Sequence, residues 1–135
     1  VNLRPPFFDD ALIRDSLALC SVYKLSDDEL ERVCQACGIA FAGDPLDSLR
    51  AILEKYALDV LVMTKGAKGA VLLTSDSTYE QPGVKVTIVD TVGAGDSFTA
   101  ALTIGLLRKD PFPEILRNAC EVAAQVCSHA GAVPA

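Results

Sequence analysis

A chain of 135 residues, half of them apolar and 22% charged, can bury one real core and has the make-up of an ordinary globular protein. Its net charge of −6 excludes a general nucleic-acid or anionic-membrane surface, while a local basic pocket remains compatible with it. No apolar run approaches the length of a membrane span and no basic-then-apolar leader opens the sequence, which leads us to expect a cytoplasmic protein.

Val1-Asn2-Leu3 has the pattern of a strand end, and Pro5-Pro6 breaks the chain after it. Asp9 or Asp10 can cap a helix running to about Leu17, and Leu19–Tyr23 is a short apolar strand. Ser26-Asp27-Asp28-Glu29 has the Ser-x-x-Glu form of a capping box before a helix through Cys37. Gly38–Asp44 is loop-like, and Pro45–Tyr56 has helical periodicity with proline at its start. Asp59–Thr64 is a buried-strand pattern, Lys65–Gly69 a tight link, and Ala70–Thr74 a second strand. Ser75–Val89 contains turns and two strand-like runs, around Tyr79 and Val86. Two helices follow, Ala94–Arg108 and Pro113–His129, parted by Lys109-Asp110-Pro111. Strands alternating with helices predict an α/β fold with a mostly parallel sheet, in one compact domain without internal repeats.

Five cysteines stand at positions 20, 34, 37, 120 and 127. Cys34 and Cys37 form a Cys-x-x-Cys, but no second pair and no nearby histidine completes a zinc set; His129 is the only histidine. Spacing of three on a helix puts both on one buried stripe, so ordinary core thiols are expected.

The stretch most informative about chemistry is Asp90-Thr91-Val92-Gly93-Ala94-Gly95-Asp96-Ser97-Phe98. A turn of small residues lets backbone N–H groups converge without side chains to hold a ligand away. The helix that follows places those donors at its positive end, which suits an anion. Asp96, in the first helical turn, can take a proton from an alcohol facing that anion, and an anion hole plus a base is the minimal equipment for phosphoryl transfer to a hydroxyl. Read plainly, the same residues make a helix start, with Thr91 or Asp96 capping and the glycines shaping a turn.

The nine-residue string resembles the C-terminal signature of the ribokinase-like (PfkB-type) carbohydrate kinases. Asn2 and Arg4 match the last two fixed positions of that family's mid-chain Asp-x-Asn-x-Arg segment. The resemblance covers essentially the whole sequence and implies the C-terminal portion of a ribokinase-like three-layer fold, without the N-terminal sugar-binding half and lid. It implies an enzyme using ATP and magnesium on a small-molecule sugar, with Asp96 as general base and Gly93, Ala94 and Gly95 as the anion hole. Thr64-Lys65-Gly66-Ala67-Lys68-Gly69 fits the family's Thr-x-Gly-x-x-Gly nucleotide segment. That places Thr64 and Gly66 near the phosphates, with Gly69 closing the segment. Lys65 either contacts nucleotide or is simply solvated, and the glycines serve a tight strand connection in any case.

Lys24-Leu25-Ser26-Asp27-Asp28-Glu29 aligns with the family's Lys-x-Asn-x-x-Glu segment, where Glu29 matches the acid that organises magnesium through water. The competing role for Glu29 is the capping box. Ser26, in place of the commoner asparagine, resembles fructokinase-type members. In relatives that use a monovalent cation such as potassium, Asp90 and the carbonyl of Val92 would be ligands; otherwise Asp90 fixes the turn by hydrogen bonds. Asn118, on a late alanine-rich helix, meets adenine or water, and Gly131-Ala132-Val133-Pro134 resembles the family's closing segment near the cation and adenine sites. Arg4 reaches phosphate, substrate or neither.

The function expected is ATP-dependent phosphorylation of a sugar hydroxymethyl, fructose first. Alternatives are a nucleotide-binding fragment without catalysis, or a kinase for 2-keto-3-deoxygluconate, ribose or a nucleoside. Neither nucleic acid nor membrane is an expected partner, while the family implies a homodimer for the full-length enzyme.

Overall fold

In the computed structural model, which describes residues 9–131, Asp9 accepts the Leu12 N–H at 2.8 Å and starts α1 (Asp10–Leu19). Asn2, Arg4 and Ala132–Pro134 lie outside the described residues. Strand β1 (Val22–Ser26) leads directly into α2 (Asp27–Cys37). Helix α3 (Pro45–Lys55) starts on Asp44, whose carboxylate accepts the Leu46 N–H at 3.0 Å, with proline in the first turn. Strands β2 (Val60–Thr64), β3 (Gly69–Leu73) and β4 (Thr78–Pro82) follow, with one 3₁₀ turn over Gly66–Lys68. The described chain ends with α4 (Ala94–Arg108) and α5 (Phe112–Cys127).

The strands hydrogen-bond in the order β1-β2-β3-β4. β1 and β2 run parallel, with Val22 opposite Val60 and Ser26 opposite Thr64. The four-residue links 65–68 and 74–77 are too short for a crossover, so the remaining pairs are antiparallel and the sheet is mixed. The parallel character read from the sequence therefore belongs to one pairing, because β3 and β4 return through hairpins. β1 also begins three residues later than its apolar run suggests. Helix α1 continues to Leu19, and the register with β2 opens where Asp59 N–H and Val60 N–H meet the Ser21 carbonyl. The run around Val86 pairs with no strand among the described residues.

The chain divides into two compact units. Among the described residues, the first comprises residues 9–64 together with Leu72–Thr78. Its core gathers Ile13 and Leu17 of α1, Leu25 of β1, Val33 of α2, Leu49 and Ile52 of α3, and Leu61 of β2, all essentially excluded from solvent. Cys34 and Cys37 are buried here as free thiols, and burial pushes the Cys34 thiol above its ordinary range. The second unit comprises Lys65–Val71 and residues 79–131, dominated by α4 packed on α5. Gly105 allows that packing: a Cβ there would come within 2.8 Å of Ile115 Cγ1. Phe98, Leu102, Leu116 and Ala119 complete the apolar seam.

Candidate active site

Helix α4 starts without a side-chain cap. Its N-cap, Gly93, sits at φ +82°, in the left-handed region open to glycine at low cost, and no side chain accepts a hydrogen bond from the first turn. Ala94 N–H reaches Thr91 O at 3.3 Å and Ser97 N–H reaches Gly93 O at 2.9 Å. Among the described residues, nothing accepts the N–H of Gly95 or Asp96. These are helix N-terminal donors of the kind that bind anions. Asp96 is exposed in this same first turn, so donors and carboxylate share one surface position. Of the expected donors Gly93, Ala94 and Gly95, the Ala94 N–H meets Thr91 O, while the Gly93 and Gly95 N–H groups have no acceptor among the described residues.

Asp90 is tied into the turn through both carboxylate oxygens. Oδ1 accepts the Val92 N–H at 2.9 Å and Oδ2 accepts the Gly131 N–H at 3.0 Å. These bonds, Val92 first and Gly131 second, hold its carboxyl below the ordinary range. Of the two roles open to Asp90, the geometry exhibits the turn-fixing one. Val92 is exposed, at 57%. Gly131 N–H as a partner of Asp90 escaped the sequence reading, since a contact across 41 residues leaves no local signature.

The link after β2 sorts its glycines by physical demand. Gly69 has φ +100°, and a Cβ there would sit 1.9 Å from the Gln81 carbonyl oxygen, so the backbone of β4 requires a glycine with no ligand involved. Gly66 has φ +56° and nothing within 4 Å, leaving its outer side open. Lys65 is half-buried, and its N–H closes the link on Gly69 O at 2.8 Å. Its charge also acts on Cys120 of α5, opposing the burial that pushes that thiol up to about 11. Asn118 is exposed, and its offset of two residues from Cys120 turns it to another side of α5.

Glu29 and Thr64 belong to the first unit. Ser26 ends β1 and Thr64 ends β2 directly opposite, so two motifs far apart in sequence meet at the carboxyl end of the parallel pair. That edge is where open α/β sheets bind ligands. Glu29 Oε2 accepts the Ser26 N–H at 2.9 Å, the return half of a capping box. One carboxylate oxygen is therefore engaged in starting α2. Among the described residues, no cluster of three or more His, Cys, Asp or Glu side chains could hold a metal, and no helix is long and apolar enough to cross a membrane.

Comparison with known proteins bears on this arrangement. The profile of the pfkB family carbohydrate kinases matches residues 1–135. A fructosamine kinase of Bacillus subtilis (strain 168) is 38% identical over 112 residues, which cover 78% of this chain and 39% of that protein. A fructokinase of Rhizobium leguminosarum bv. trifolii is 36% identical over 110 residues, covering 78% of this chain and 32% of its own. The crystal structure of aminoimidazole riboside kinase from Salmonella enterica, complexed with aminoimidazole riboside and an ATP analogue, matches with a TM-score of 0.78 and 32% identity. That match takes in 98% of this chain and 46% of that one. The chain thus spans less than half the length of these relatives. With the profile matched from end to end, this chain belongs to the pfkB family of carbohydrate kinases.

Proposed function

We propose that this chain is the C-terminal, nucleotide-binding and catalytic portion of an ATP-dependent sugar kinase that phosphorylates a hydroxymethyl group, with fructose as the first acceptor to test. The observation that carries this reading is the start of α4, where the N–H groups of Gly95 and Asp96 are unclaimed among the described residues beside the exposed Asp96 carboxylate. Asp96 takes the proton of the sugar hydroxyl as its oxygen attacks the γ-phosphorus and the bond to the ADP oxygen breaks. The first-turn N–H groups, with Gly93 shaping the backbone, bind the phosphoryl oxygens as negative charge shifts. Thr64 and Gly66 lie along the phosphates, Gly66 through its open side; Lys65 and Asn118 are the remaining nucleotide contacts of the assignment. Gly69 serves the segment by permitting its fold. Magnesium, when bound, neutralises phosphate charge. Glu29 would hold it through water, which agrees with an acid that already caps a helix and has no cluster of further ligands among the described residues. Asp90 and the Val92 carbonyl are the candidate potassium ligands, since each Asp90 oxygen accepts a single N–H and keeps a lone pair.

Fructose is preferred on Ser26 and on the likeness to a fructokinase. The fructosamine and aminoimidazole riboside kinases among the relatives put those acceptors in the same panel. The test is acceptor-dependent ADP release by the 135-residue chain. Asp96→Asn is expected to lower turnover by ~10²–10⁴-fold while ATP binding is kept. Equal loss of both would remove Asp96 from the role of base. A second reading is a nucleotide-binding portion without catalysis of its own. ATP binding without ADP release on any sugar of the panel selects it.

A further inference from the structure

The turn that opens α4 is held from the far end of α5. Val89 N–H and Asp90 N–H both reach Cys127 O, at 2.8 and 3.2 Å. The Asp90 carboxylate then bonds in two directions: to Val92 N–H, two residues on, and to Gly131 N–H, 41 residues on. Thr91 and Val92 are exposed, and between Asp90 and Gly93 no other side chain makes a hydrogen bond among the described residues. Beside these backbone bonds, one carboxylate supplies the side-chain ties of the turn among the described residues.

The geometry points to Asp90 as a positioning residue for the phosphate site: by tying residue 131 to the turn, its carboxylate fixes the direction in which the Gly95 and Asp96 N–H groups point. This rests on the α4 start being the phosphate site. It assigns the segment after α5 a part in anion binding without touching the anion.

Two effects of one substitution have opposite signs, which makes the role testable. Asp90→Asn keeps an oxygen for the Val92 N–H but replaces the other with an NH₂ that cannot accept from Gly131. It also removes a negative charge from the neighbourhood of an anion site. Coulomb's law alone makes Asp90→Asn bind phosphate more tightly; loss of aim makes it bind more weakly. Gly131→Pro breaks the tie from the other side, both by removing the N–H and by forbidding the φ of +82° that Gly131 holds, and leaves the charge in place.

The experiment is a titration of the isotope-labelled full chain with inorganic phosphate, following the Gly95 and Asp96 amide resonances by NMR. In the unaltered chain these resonances shift saturably. In Asp90→Asn the apparent affinity falls roughly tenfold, the scale of one charge-assisted hydrogen bond. Gly131→Pro falls likewise, and the double variant falls no further than either single one. Affinity in Asp90→Asn equal to or above that of the unaltered chain overturns the proposal. If that variant does not fold, unchanged affinity in Gly131→Pro overturns it instead. Absence of any shift in the unaltered chain overturns the phosphate site itself. Exchange of the Gly131 amide, faster in Asp90→Asn whether or not phosphate binds, tells that failure from a failed tether.

Discussion

Helices α2 and α4 both carry an acid in their first turn, yet they begin in opposite ways. At α2 the acid turns back: Glu29 accepts the Ser26 N–H, so the helix start is satisfied from within. At α4 a glycine in a left-handed conformation stands at the cap, no side chain turns back, and the acid faces outward. A start closed by its own side chain gains stability; a start left open keeps its donors for something else. Both sequences read as Ser/Thr or Gly, then acid, then apolar helix, and the contrast lies in where the carboxylate goes.

The largest expected break in this comparison is in chemistry. Asp96→Asn should cost ~10²–10⁴ in turnover and leave the melting temperature nearly unchanged, since its side chain makes no bond within the helix start. Next comes Gly93→Ala, which forces a Cβ into φ +82° and should destabilise by about 1–2 kcal/mol in urea denaturation. Retained stability would mean that the turn accommodates a side chain and that its shape is not set by glycine. Glu29→Ala should cost about 1 kcal/mol, the value of a helix N-cap interaction, through the loss of the Ser26 bond. A purely metal-organising Glu29 would leave stability in metal-free buffer untouched.

The smallest effect is a pH dependence. Because Val92 and Gly131 N–H groups lower the Asp90 carboxyl in the folded chain, the folded state favours the carboxylate. The contribution is complete above the ordinary value of 3.8 and is lost as pH falls through the lower folded value. Amide exchange at Gly131, corrected for its intrinsic rate, should show constant protection from neutral pH down to that value and then lose it. A transition near neutrality would assign the tether to another group.

Much of this was legible locally. The capping residues Asp9 and Ser26, the proline opening α3, and the small-residue turn before α4 each act within one turn of chain, so short patterns locate them. The strand boundaries were less so. The apolar residues Leu19 and Val22 suit either a helix end or a strand, and the parallel register with β2 decided where β1 begins. Val84, Val86 and Ile88 alternate like a strand, but alternation alone supplies no hydrogen-bonding neighbour.

The sequence by itself marked the candidate residues for chemistry and determined the helix on which the candidate base sits, because the motif Asp90–Phe98 carries its turn and its acid within nine residues. Tertiary structure decided how those residues are employed. It set Ser26 beside Thr64 through a strand register, demanded glycine at position 69 through a carbonyl of β4, and tied Asp90 to Gly131 from the far side of α5. Each of these is a contact between groups distant along the chain. Its energy depends on a distance that only the folded backbone fixes.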